Sequence, residues 1–138
     1  MTIGIDVDLR TDRLQLILDA IDAESDEYSG AFLTIYSGVR PATGGSDAGC
    51  DPLVEFVLPY PCGEVTDGVL TFDAISSVLA IDYGIATWAR IEDTAENFIM
   101  DLSVTNEAGS GDVKIDDTEI FTGALISCTL ATMTEGNA

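Results

Sequence analysis

The sequence predicts a mainly β domain: an antiparallel β-sandwich or barrel-like fold of about seven or eight strands, with one N-terminal helix. Three observations carry this. Helical periodicity is confined to the first stretch of the chain. From Ala31 onward, short β-branched and aromatic runs alternate with turn signals at roughly 8–12-residue spacing. A chain of 138 residues with 46% hydrophobic composition suits a single domain, read as 1–138, with a helix over 8–23 and a β domain over 31–133.

The helix is read from Asp8 to Ala23. Leu9, Leu14, Ile17, Leu18 and Ile21 recur at three- and four-residue steps as one apolar stripe, and Thr11 is the expected N-cap. The stripe is expected to pack onto a sheet. Glu24 to Gly30 is a polar linker. Phe32 to Tyr36 is the first strand, ended by Gly38-Val39-Arg40-Pro41, and Ala42 to Pro52 is a long loop. Leu53 to Leu58 is the second strand, stopped by Pro59-Tyr60-Pro61. Asp67-Gly68 marks a turn before a third, Val69 to Asp73. The fourth runs from Gly84 to Glu92, with Ile85, Thr87, Ala89 and Ile91 on one face and Ala86, Trp88 and Arg90 on the other. Asp93 to Glu96 is a hairpin connection. Asn97 to Thr105 returns as a half-buried antiparallel strand. A Gly-rich turn over Asn106 to Gly111 leads to short strands at Val113–Ile115, Glu119–Thr122 and Ala124–Thr132.

The charge balance excludes several functions. Twenty-five acidic side chains against five basic ones give a formal net charge of −20. A nucleic-acid reader needs Lys and Arg on phosphates, and an anionic membrane surface is equally disfavoured. No apolar run reaches the roughly 18 residues of a spanning helix. The first twenty residues, with Asp6, Asp8, Asp12 and Asp19, do not read as a signal peptide. The basic residues are Arg10, Arg13, Arg40, Arg90 and the single Lys114. An acidic coat almost without lysine fits adaptation to molar salt, where the Debye length falls to about 3 Å and carboxylate repulsion is screened.

Catalytic chemistry is poorly provided for. The chain has no histidine, so Ser–His–acid and Cys–His constellations cannot form, and there is no Walker loop or dinucleotide fingerprint. Among so many carboxylates a pair at glycosidase spacing would arise by chance. Asp112, Asp116, Asp117 and Glu119 form the densest acidic cluster, but their spacing does not follow an EF-hand loop. They are read as a solvated hairpin edge, and Asp19, Asp22 and Asp26 as the polar side of the helix. Cys50, Cys62 and Cys128 lack metal spacing. A Cys50–Cys62 bridge stays open with free thiols as the default, while Cys128 is expected in the core, as is Trp88. No catalytic, cofactor-binding or metal-binding residue is nominated.

The order of motifs carries a resemblance. The helix is followed by Leu33-Thr34-Ile35-Tyr36-Ser37-Gly38-Val39-Arg40-Pro41-Ala42-Thr43-Gly44-Gly45. Then come Gly68-Val69-Leu70-Thr71, Gly84-Ile85-Ala86-Thr87-Trp88-Ala89-Arg90-Ile91-Glu92-Asp93, Asp101-Leu102-Ser103-Val104 and a closing strand. From about Leu9 to Thr134 this resembles a group of small virion-associated structural proteins of tailed viruses. It departs from them where Asp93-Thr94-Ala95-Glu96-Asn97 replaces a Gly-containing turn, and in its acidity. The resemblance implies a non-enzymatic, capsid-decorating or cement protein located in the virion and assembled in the host cytoplasm. With the lysine-poor composition, it points to a virus of a halophile. The implied partners are the major capsid protein or other virion proteins and further copies of the chain around a symmetry axis. The expected contacts are the helix stripe, the Ala42–Pro52 loop and the Pro59–Cys62 loop. Alternative roles are a neck, tail or spike component, or a carbohydrate- or surface-binding β-module.

Overall fold

A computed structural model describes residues 4–134. Helix α1 spans Val7–Asp22. The strands are β1 Phe32–Tyr36, β2 Val54–Val57, β3 Gly63–Thr66, β4 Val69–Phe72, β5 Val78–Leu79, β6 Gly84–Ile85, β7 Trp88–Glu92, β8 Phe98–Asn106, β9 Val113–Ile115, β10 Glu119–Ile120, β11 Leu125–Ile126 and β12 Cys128–Thr134. Eight of them form one sheet in the order β2-β1-β7-β8-β9-β12-β4-β3. Its two edge strands, β2 and β3, are consecutive in the chain and joined by residues 58–62. The sheet therefore curls into a half-barrel, in keeping with the sandwich or barrel-like fold class read from the sequence.

The sheet is mixed, not purely antiparallel. β8 and β9 run parallel, with Val104 beside Val113 and Asn106 beside Ile115. The overlap is three residues long, so the intervening turn can return the chain to the start of the overlap without a long crossover. Glycine makes that turn possible: a Cβ on Gly109 would lie 2.5 Å from Thr105 Cβ. β3, absent from the sequence reading, forms a hairpin with β4. Its turn residues Asp67 and Gly68 both have positive φ, 49° and 76°, the requirement of a two-residue type I′ hairpin.

The helix begins one residue earlier than expected, and its cap is Asp6. The Asp6 carboxylate accepts the Asp8 N–H at 2.9 Å. Thr11 lies one turn inside, where its hydroxyl donates to the Val7 carbonyl at 2.8 Å and accepts the Gly68 N–H at 2.9 Å. It ties the helix to the β3–β4 turn. Leu14, Leu18 and Ile21 are buried, and the helix packs on β3, β4 and β8. Leu9 is exposed: at about 100° per residue, five positions before Leu14 place it well off the stripe. The buried stripe is thus part of the core and unavailable as a partner contact, a correction to the contacts expected from the sequence.

One face of the sheet, carrying Leu33, Ile35, Val54, Phe56, Ala89, Ile91, Leu102 and Val104, joins these helix residues in the core. The predicted fourth strand is broken. Ala89 and Ile91 face the core and Trp88 and Arg90 the other side, as alternation requires. Ile85 and Thr87 are exposed instead, because the Ala86 N–H leaves to the Thr118 carbonyl and the Thr87 N–H to the Tyr36 carbonyl. The last predicted strand is likewise split into β11 and β12.

Candidate interaction surface

Both faces of β7 are buried because the long loop after β1 folds over the sheet. Beneath it, Tyr36 stacks on Trp88 with ring centroids 4.5 Å apart. Arg90 lies 5.3 Å from the Trp88 centroid and 5.1 Å from that of Phe98. Its guanidinium makes a bidentate pair with Asp101, Nε–Oδ1 2.8 Å and Nη2–Oδ2 3.0 Å, and donates to the Ser46 carbonyl at 2.8 Å. Trp88 Nε1 donates to the Ser37 carbonyl and Thr87 Oγ1 to that of Gly38. Gly44 and Gly45 rest on the Phe98 ring, where a Cβ at either would come within 3.1–3.2 Å. The hydrogen bonds to Asp101 raise the Arg90 pKa further, so the cation is permanent. The loop is therefore a pinned lid over a second small core, with Thr43 to Asp47 left exposed at its crest.

At the β7–β8 connection the Asp93 carboxylate accepts the N–H groups of Ala95 and Asn97 and the Asn97 side-chain amide, at 2.9, 2.9 and 3.1 Å. Chiefly the Asn97 backbone bond holds its pKa below the ordinary aspartate value. The resulting stability is present above that range and fades as pH falls through the lowered value. Neighbouring Glu92 has the opposite sign, its pKa being raised by desolvation. Within this connection Glu96 adopts φ 66°, the left-handed region that favours glycine.

The acidic clusters act as local caps. Asp112 accepts the Ser103 N–H and hydroxyl, Asp116 the Ser127 N–H and Asp117 the Glu119 N–H. Asp22 accepts the Cys62 N–H on both oxygens, Asp26 the Tyr28 N–H, and Asp19 the Gln15 amide. Among the described residues, no group of three or more Cys, Asp or Glu side chains is gathered as for a metal ion, and no helix is long and apolar enough to cross a membrane. All three cysteines are free. Burial raises the Cys62 pKa, with Asp22 adding to the effect, and pushes Cys128 up to about 11; both thiols stay protonated and unreactive at neutral pH. Cys128 is half-buried at the start of β12 and is not a full core residue. Of the loop contacts expected from the sequence, Tyr60 is exposed and Cys62 buried.

The most distinctive outward feature escaped the sequence reading. β5 pairs with β11, Leu79 opposite Leu125, and β6 pairs with β10, Ile85 opposite Glu119. Leu79 to Gly84 on one side and Leu125 to Ile120 on the other are equal steps, so the two pairings share one register. They are two short two-stranded pieces, and between them the Ile81 and Asp82 N–H groups donate to the Leu53 carbonyl, so the ribbon they make up is interrupted at its middle. Val78, Ala80, Ile120 and Ile126 turn inward. Leu79, Ile81, Tyr83, Ile85, Phe121 and Leu125 turn outward, each between 54% and 73% exposed. Together these residues leave on the order of 700 Å² exposed, close to one side of a standard interface. Tyr83, Ile85, Glu119 and Phe121 line a shallow groove at one end. The period-two run from Val78 to Ile85 was the available signal.

Fold and surface together define a small half-barrel module with an exposed apolar ribbon. No protein-family model, curated protein or solved structure matches the chain.

Proposed function

We propose that the chain is a non-enzymatic structural protein of a tailed-virus particle, decorating the capsid and cementing its lattice. The observation that carries this is the apolar ribbon, six large apolar side chains left exposed on two paired segments of a strongly acidic chain, a feature of proteins that work by assembling. The order of sequence motifs supports the viral assignment. Cementing needs no catalytic group. A protein that bridges neighbouring capsid subunits binds only the assembled shell and stabilises it by mass action. The crest of the pinned loop, Thr43 to Asp47, and Tyr60 are suited to the capsid side because they project from rigid supports.

A sugar-binding module is less well supported. Tyr36 and Trp88 lie under the loop, and the groove lined by Tyr83 and Phe121 is shallow and otherwise lined by Gly84, Ile85, Ile120 and the single carboxylate of Glu119. Quantifying the chain in purified particles tests the proposal. A copy number near that of the major capsid protein is expected. A few copies per particle would move the protein to the neck or tail, and absence would refute the virion role.

A further inference from the structure

We infer that the ribbon formed by β5–β6 and β10–β11 is covered by a second copy of this chain. This rests on reading the ribbon as an assembly surface, and it names the partner. The argument is one of charge and area. The molecule carries 25 acidic side chains, yet the two paired segments, 78–85 and 119–126, hold two: half-buried Asp82, and Glu119 at the end beside Ile85. A basic partner would find its complement almost anywhere else on the coat. A surface this poor in carboxylates suits contact with a molecule as acidic as itself. The exposed side chains supply about the area that each partner contributes to a standard-sized interface. Two of them, Tyr83 and Phe121, which line the same groove, are of the aromatic type enriched at interface centres. Copies meeting through the same patch give a closed, symmetric assembly. Repulsion between the acidic bodies opposes this at low ionic strength. At roughly 1 M salt the Debye length of about 3 Å removes most of that opposition, and the apolar contact remains.

The test is the mass of the purified full chain by sedimentation velocity in molar KCl, with folding checked by circular dichroism. Wild type is expected to sediment as an oligomer, and the Tyr83→Glu/Phe121→Glu variant to return to monomer mass with an unchanged spectrum. Tyr28→Glu, at a residue more exposed than either and outside the two paired segments, should remain oligomeric. If the double variant fails to fold, Tyr83→Ser with Phe121→Ser replaces it with the same expectation. A folded wild-type chain that is monomeric at all salt concentrations overturns the inference, as does an oligomer that both ribbon variants leave intact. Monomeric wild type whose ribbon variant is lost from particles would assign the ribbon to a different partner and leave the virion role standing. A salt-promoted, ribbon-dependent oligomer absent from particles would do the reverse.

Discussion

Arg90→Ala is expected to destabilise the fold by roughly 3–5 kcal/mol, the cost of leaving a buried carboxylate without its partner. The Arg90 and Asp101 side chains are only 10% and 6% exposed. The substitution removes the bidentate pair, the bond to the Ser46 carbonyl and the cation between two aromatic rings at once. It therefore undoes the lid as well as the ion pair. For a domain of this length the melting temperature should fall by roughly 10 °C or more, measured by thermal circular dichroism in molar salt. Arg90→Lys should recover only part of the loss, because an ammonium cannot reproduce the planar two-point contact. Arg90→Met combined with Asp101→Leu should be much less damaging than Arg90→Ala alone, since no charge is then stranded. A melting temperature unchanged by Arg90→Ala would show that the loop is held by other contacts.

Transfer from molar to millimolar salt is expected to unfold the protein. Twenty-five carboxylates repel one another on a 138-residue chain with five cations, and one of those cations, Arg90, is committed to an internal pair. Lowering ionic strength lengthens the Debye length from about 3 Å at 1 M to about 30 Å at 0.01 M, so each carboxylate then feels many others. The accumulated repulsion is set against a margin of only about 5–15 kcal/mol for a typical domain. A titration of the far-ultraviolet spectrum against KCl should show one cooperative loss of structure as salt falls. A melting temperature that stays flat over the titration would mean that the acidity serves solubility alone, and the halophile assignment would lose its physical basis.

The sequence was legible where contacts are local or where alternation is complete. The α1 stripe at Leu14, Leu18 and Ile21, the β1 run and the core-facing residues of β7 could all be read from spacing. β3 was missed because Gly63-Glu64-Val65-Thr66 contains one large apolar residue, and its evidence lay in the turn that follows it. The cap shifted from Thr11 to Asp6 because either residue can cap, and Thr11 is used for a long-range bond to Gly68. The parallel β8–β9 pairing depends on a turn compact enough to return the chain over three residues, a property of Gly109 and its neighbours. The ribbon was the largest omission. Its two strands come from segments about forty residues apart, and its outward half is the apolar one. Alternation at Leu79, Ile81, Tyr83 and Ile85 marks a strand, but the usual inference that the large apolar side points inward fails here. In the first strand the residues between them are small at Ala80 and Gly84, and a Cβ at Gly84 would come within 3.2 Å of Leu53. A partner surface inverts the ordinary reading of burial, so its location becomes visible only once the pairing is known.

The cement role is tested most directly by heating purified particles that lack this chain beside complete ones and following release of the packaged genome. Particles without the chain should rupture at a lower temperature, and adding the purified protein back in molar salt should restore the original threshold. Identical thresholds, with the chain present in many copies on the complete particles, would contradict the account.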